Sequence, residues 1–143
     1  MPRFAATLFA ALLGLASPAL AVTETLTAGA GGHFFTTARI NDRDITVLVD
    51  TGASAVVLSL EDARRAGINP AMKDFTVPVT TANGQVMAAA VTLRRVAIGQ
   101  IRVTDVRGLM MPRGAMEGSL LGMSFLTRLK GFDAANGALE LRN

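Results

Sequence analysis

The stretch VLVDTGASAVVLS, Val47 to Ser59, runs three aliphatic residues into one aspartate, turns at a glycine and resumes an apolar run. Val47-Leu48-Val49 has the character of a buried strand, and Ala55 to Leu58 that of a second one. Gly52 lets the chain turn tightly between them, because it carries no Cβ. A carboxylate at the end of a buried strand is costly unless something holds it there. Taken alone, Asp50-Thr51-Gly52 fits a capped turn, since aspartate side chains commonly close such turns. The same tripeptide also fits, less readily when taken alone, an acid held rigidly at the rim of an apolar sheet for chemistry.

The rest of the chain narrows the choice. With 143 residues, 50% hydrophobic and 17% charged, the composition is globular. There is no cysteine, which excludes disulfides, thiolate metal sites and a cysteine nucleophile. The single histidine, His33, lies outside any catalytic pattern, so a Ser-His-Asp triad has no base. A net charge of +3 and no basic cluster wider than Arg94-Arg95 argue against nucleic acid as a partner. Gly29 to Gly32 lacks the lysine of a phosphate loop, and EGSLLG does not fit a nucleophile elbow. Met110, Met111, Met116 and Met123 read as core or interface rather than as metal ligands. Neither a metal nor a cofactor is implied.

Residues 1–21 have the form of an export signal, with Arg3, an apolar core FAATLFAALLGLA, and SPALA ending in an Ala-x-Ala site at Ala21. The alternative is an uncleaved anchor over residues 4–22, which would make the membrane a partner. Both place the remaining domain outside the cytoplasm, periplasmic or extracytoplasmic. About 120 residues then remain, one domain's worth.

Within them, residues 22–33 read as a small, polar linker and 34–143 as the folded domain. HFFTTARIN and ITVLVD predict a hairpin around Asp42-Arg43-Asp44. SLEDARRAGI predicts a helix capped by Ser59 and stopped at Gly67. FTVPVTT and QVMAAAVTLRRVAIG flank Asn83-Gly84, a hairpin signal. IRVTDVRGLMM continues the strand pattern after Gly99-Gln100. SLLGMSFLTRL predicts a strand broken at Gly122 and a short helix, and GFDAANGALEL a closing hairpin. Many short strands with frequent turns predict an all-β, barrel-like fold with one or two short helices.

Asp50-Thr51-Gly52-Ala53-Ser54 after an aliphatic run, followed later by Leu120-Leu121-Gly122, resembles the retropepsin-like aspartic proteases. The GHF…A.IN opening and the GMSFL ending are most similar to the bacterial exported or membrane-anchored members. The resemblance covers 34–143 and implies a closed β-barrel of the acid protease type, a single lobe with one Asp-Thr-Gly. Family chemistry needs two carboxylates sharing one proton. One motif per chain therefore implies a homodimer that pairs Asp50 with its own copy and hydrolyses a peptide or protein substrate.

The resemblance implies further roles by position. Thr51 would lock the two active-site loops, and Gly52 and Ala53 would let backbone approach the water and substrate. Thr81, Ala82, Asn83 and Gly84 would form the tip of a flap over an extended substrate. Leu120, Leu121 and Gly122 would brace the Asp50 loop from behind. Two function classes fit: an active aspartic endopeptidase, or a catalytically weak dimerisation or peptide-binding module on the same fold. The intact Asp50-Thr51-Gly52 favours the enzyme. The short side chains of Met87-Ala88-Ala89-Ala90 offer few substrate pockets and weigh the other way.

Overall fold

The computed structural model describes residues 17–143, so the expected leader lies, up to residue 16, outside the described residues. Among the described residues, ten strands form two sheets, accompanied by two short α-helices. The fold is mostly β, and the strands after residue 34 lie close to where their patterns predict.

Strands β2 (Phe35–Ile40) and β3 (Arg43–Val49) form the first hairpin. Its turn falls on Asn41-Asp42, ahead of the expected Asp42-Arg43-Asp44. Both turn residues have positive φ, 48° and 68°, a conformation that Asn and Asp tolerate better than Arg. Arg95 on a neighbouring strand locks the turn: its N–H donates to Asn41 Oδ1 and its guanidinium pairs with Asp42 at 2.9 Å.

β4 (Val56–Leu58) is fully buried and leads into α1 (Leu60–Arg65). Ser59 caps α1 as expected, its Oγ accepting the Asp62 N–H at 3.2 Å. β5 (Phe75–Thr81) and β6 (Gly84–Ile98) form the second hairpin, and β7 (Ile101–Met110) follows a two-residue turn at Gly99-Gln100. β8 (Ser119–Leu121) runs into α2 (Met123–Leu126) at Gly122.

These strands join in the order β2-β3-β8-β4-β7-β6-β5, and a short β2–β6 contact at Arg39↔Ala97 and Ile40↔Val96 closes the ring. Its interior is one aliphatic cluster, with Ile40, Ile45, Leu58, Leu93, Leu121 and Phe125 essentially without solvent contact. Since the chain has no disulfide, this burial is the main source of stability.

A second, three-stranded sheet corrects one expectation. Residues 23–27, assigned to a linker, are strand β1 (Thr23–Thr27), which pairs with β10 (Ala138–Arg142); β9 (Gly131–Ala135) completes the sheet on β10's other side. TETLT carries a single apolar residue, Leu26, so the strand has little local signature. It exists because β10 supplies the partner groups.

The tightest point in the barrel is Gly122. A Cβ there would collide with Ala55 O and lie 2.6 Å from Ala53 O. Both contacts are backbone atoms of the turn after Asp50, which cannot swing aside as a side chain could. Gly122→Ala is therefore expected to cost about 3 kcal/mol or more. Thermal unfolding followed by circular dichroism checks it, the expected drop in Tm being about 10 °C.

Candidate active site

Asp50 sits at the end of β3, and three backbone hydrogen bonds fix the loop that follows. Asp50 N–H donates to Leu121 O at 3.1 Å, Ala53 N–H to Asp50 O at 3.2 Å, and Met123 N–H to Ala53 O at 2.8 Å. Two of the three link the loop to the β8–α2 segment. β8 lies parallel to β3 (Val47↔Ser119, Leu48↔Leu120, Val49↔Leu121) and antiparallel to β4 at Val57↔Leu120. It thus occupies the slot between the strands on either side of the loop. Leu120-Leu121-Gly122 packs alongside the Asp50 loop.

The Asp50 side chain is half-buried, and its Oδ1 accepts the Gly52 N–H at 2.8 Å. The turn-capping role is therefore real. It also points one carboxylate oxygen along a defined direction, which a freely rotating acid would lack. Thr51 and Gly52 are exposed beside it.

Asp50, Gly52 and Ala53 line a groove of about 620 Å³. Its opposite wall is the inner strand of the β5–β6 hairpin, from Val77 to Thr81. Thr81 lines the groove, whereas Ala82, Asn83 and Gly84 form the hairpin tip beyond its lining. The turn itself is centred on Ala82-Asn83. Thr81 Oγ1 accepts the Asn83 N–H at 3.2 Å and donates to Gly84 O at 2.8 Å, and Gly84 takes φ +110°.

Pro78 stands in β5, which is tolerated because β5 is an edge strand of the seven-stranded sheet. The small residues after the tip matter less than the sequence suggests. Ala88 and Ala89 are buried, and the groove takes its apolar surface from Val77, Val79, Leu109, Met111 and Met116. Arg107 also reaches the groove from β7. The sequence singled out neither Arg107 nor the methionines for the site, since nothing local in VRGLMM marks which side chains face outward.

Two serines missing from the sequence-based site support it from behind. Ser119 Oγ accepts the Ser59 N–H at 3.1 Å and donates to Asp62 at 2.7 Å, tying β8 to α1. Ser124 Oγ accepts the Val56 N–H at 2.9 Å and donates to Arg107 O at 2.6 Å. They satisfy backbone groups that the three-residue β4 leaves unpaired.

A family profile described as "gag-polyprotein putative aspartyl protease" matches residues 36–128. An uncharacterised protein from the cobV 5′ region of Sinorhizobium sp. is 44% identical over 112 residues. The uncharacterised protein RP867 of Rickettsia prowazekii is 40% identical over 112 residues. Each match covers 78% of this chain and 48% of the relative, so the chain spans about half the length of the curated relatives it matches. Among solved structures, a retropepsin-like aspartic protease from Rickettsia conorii superposes with a TM-score of 0.77 and 36% identity. That match covers 86% of this chain and 92% of the other. EIAV protease, solved with the inhibitor HBY-793, shares the fold with a TM-score of 0.61 at 20% identity, over 77% of this chain and 100% of its own. With the motif, the fold and the profile in agreement over the same residues, the chain belongs to the retropepsin-like aspartic protease family.

Proposed function

We propose that the protein is a homodimeric aspartic endopeptidase in which Asp50 of each subunit supplies half of one site. The observation that carries this reading is that Asp50 and the inner strand of the β5–β6 hairpin line one groove. A groove with a β-strand as one wall suits an extended peptide, which can add hydrogen bonds along that strand. Val77, Val79, Leu109, Met111 and Met116 favour apolar side chains on the substrate.

Chemistry follows from pairing two carboxylates around one proton. The ionised Asp50 takes a proton from a water held between the two acids, and the water oxygen attacks the peptide carbonyl carbon. The protonated Asp50 gives its proton to the carbonyl oxygen, forming a neutral gem-diol. As the diol collapses, the Asp50 that took the water's proton gives it to the departing amine, the ionised Asp50 takes a proton from a diol hydroxyl, and the C–N bond breaks, which restores the starting pair. Gly52 N–H keeps each carboxylate oriented through both steps. Thr51, exposed next to Asp50, is suited to contact the opposing loop. The apolar run over residues 4–22 supports delivery of the domain outside the cytoplasm, to the periplasm or the outer face of a membrane.

Asp50→Asn tests the assignment cleanly, because asparagine still accepts the Gly52 N–H while losing the titrating oxygen. Peptide cleavage is expected to fall by about 10³-fold or more, with circular dichroism and Tm near wild type. Full activity in the purified variant would remove Asp50 from the mechanism.

Concentration and pH give a second expectation. Specific activity rises with protein concentration until the dimer saturates. Against pH it traces a bell. It is lost at low pH, where both carboxyls are protonated and no base remains, and at higher pH, where both are ionised and no acid remains. A dilution series of turnover beside sedimentation equilibrium decides it, and concentration-independent turnover by a monomer would overturn the shared site.

With one histidine and no cysteine in the chain, a chelator is expected to leave activity unchanged, and a statine-type hydroxyl isostere to abolish it. Loss of activity in chelator, restored by zinc, would contradict this reading.

A further inference from the structure

We propose that Arg107 selects the substrate, so that the groove takes a peptide whose apolar stretch is bordered by an aspartate or glutamate. This rests on the groove being the peptide site and names the class of peptide it accepts.

Successive side chains of β7 turn to opposite faces. Val106, Gly108 and Met110 are buried, whereas Arg107, Leu109 and Met111 line the groove. The three form one row. At a rise of about 3.3 Å per residue, Arg107 stands about 7 Å beyond Leu109 along that row. A peptide that covers Leu109 and Met111 therefore ends its apolar contacts where the arginine begins.

The backbone that carries Arg107 is pinned on three sides. Arg107 pairs with Thr92 of β6, its C=O accepts the Ser124 hydroxyl at 2.6 Å, and the adjoining Gly108 lies opposite Val56 of β4. The head of the side chain is left for a ligand. Ion pairs among the described residues engage Arg65, Arg95 and Arg142, and Arg107 enters none of them. Its side chain is exposed at the groove wall.

Apart from Asp50, Arg107 is the only charged residue in the groove lining. Asp50 is committed to the attacking water, so an acid on the peptide meets a cation with no competing partner. The planar guanidinium can hold a carboxylate through two parallel hydrogen bonds. Ser54 lines the same groove two residues before Val56, toward the Arg107 end, and adds a hydroxyl donor there. A bound peptide would draw the guanidinium partly out of water. A carboxylate then gains strength from the lower dielectric, a neutral side chain leaves the cation unpaired, and a lysine repels it.

The shared site is two-fold symmetric, so the second subunit repeats Arg107 at the other end of the groove. An acid is then accepted on either side of the scissile bond, at equal distance from it.

The test uses ten-residue peptides with an apolar centre, each carrying one glutamate scanned along the chain, beside the same peptides with glutamine or lysine. Their kcat/KM is measured with the purified full chain, and their Kd with its Asp50→Asn variant by calorimetry. At one scan position on each side, glutamate is expected to be preferred over glutamine roughly tenfold, and over lysine by more. The preference should shrink as salt is raised. In Arg107→Gln the glutamate-to-glutamine ratio should fall to near one, and in Arg107→Glu the lysine peptide should become the better one. A purely structural role for Arg107 would not reverse that order.

A wild-type ratio near one at every position, or a preference that persists in Arg107→Gln, would overturn the proposal. The wild-type scan stays decisive even where a variant does not fold. Cleavage without acid preference would remove the role of Arg107 and leave the protease standing. Acid-selective binding to Asp50→Asn, with no cleavage by the wild type, would remove the protease and leave Arg107. Peptides neither bound nor cleaved would remove both.

Discussion

The passage of β8 between β3 and β4 is the constraint on which the site depends. Neither β4, with three residues, nor the turn from Thr51 to Ala55 could hold a carboxylate in place alone. They are held because Leu121 O accepts the Asp50 N–H and Met123 N–H reaches Ala53 O, one bond on each side of Gly122. The approach is close enough that only a residue without Cβ fits. Position 122 is thus coupled to position 50 through backbone geometry, far apart in sequence and adjacent in space. That coupling explains why an acid can sit at the end of a buried strand: its orientation is fixed by main-chain atoms rather than by a neighbouring charge.

The legible parts of the fold were those with local chemistry. Asn136-Gly137, both at positive φ, makes the closing hairpin where the dipeptide predicts it, and Ser59 caps α1 through Asp62 N–H. The Asp50 turn and the Leu120-Leu121-Gly122 brace were readable because each carries a distinctive dipeptide or tripeptide. What local pattern could not give depends on distant partners. β1 is a strand by virtue of β10 alone, its inward positions being Glu24 and Leu26 among threonines. Arg107 enters the groove because β7 pairs with β6 in a register that no short window encodes. Turn centres moved by a residue where side chains outside the dipeptide took part, as Thr81 does at the tip of the β5–β6 hairpin and Arg95 at the Asn41-Asp42 turn.

The two faces of the Asp50 loop have different characters. Toward the groove stand Gly52, Ala53 and β5 from Val77 to Thr81. Toward the three-stranded sheet stand Thr51, Phe34, Val49 and β9. Asp50 is thus reachable from two sides. A single short loop serves both because Asp50 is only half-buried at the end of its strand.

Completion of the small sheet by the chain's own strands bears on how folding and assembly relate. Were β10 left for a partner strand, its backbone groups would be unsatisfied in a monomer, and folding would wait on association. Here β1 and β9 satisfy both sides of β10, Glu24 clamps β1 to the barrel, and Leu139 and Leu141 already belong to the core cluster. The monomer has a closed core of its own, and what it exposes is strand edges rather than an unfinished interior. Any association of two copies would then be docking of folded bodies, with stability set by the cysteine-free core of each.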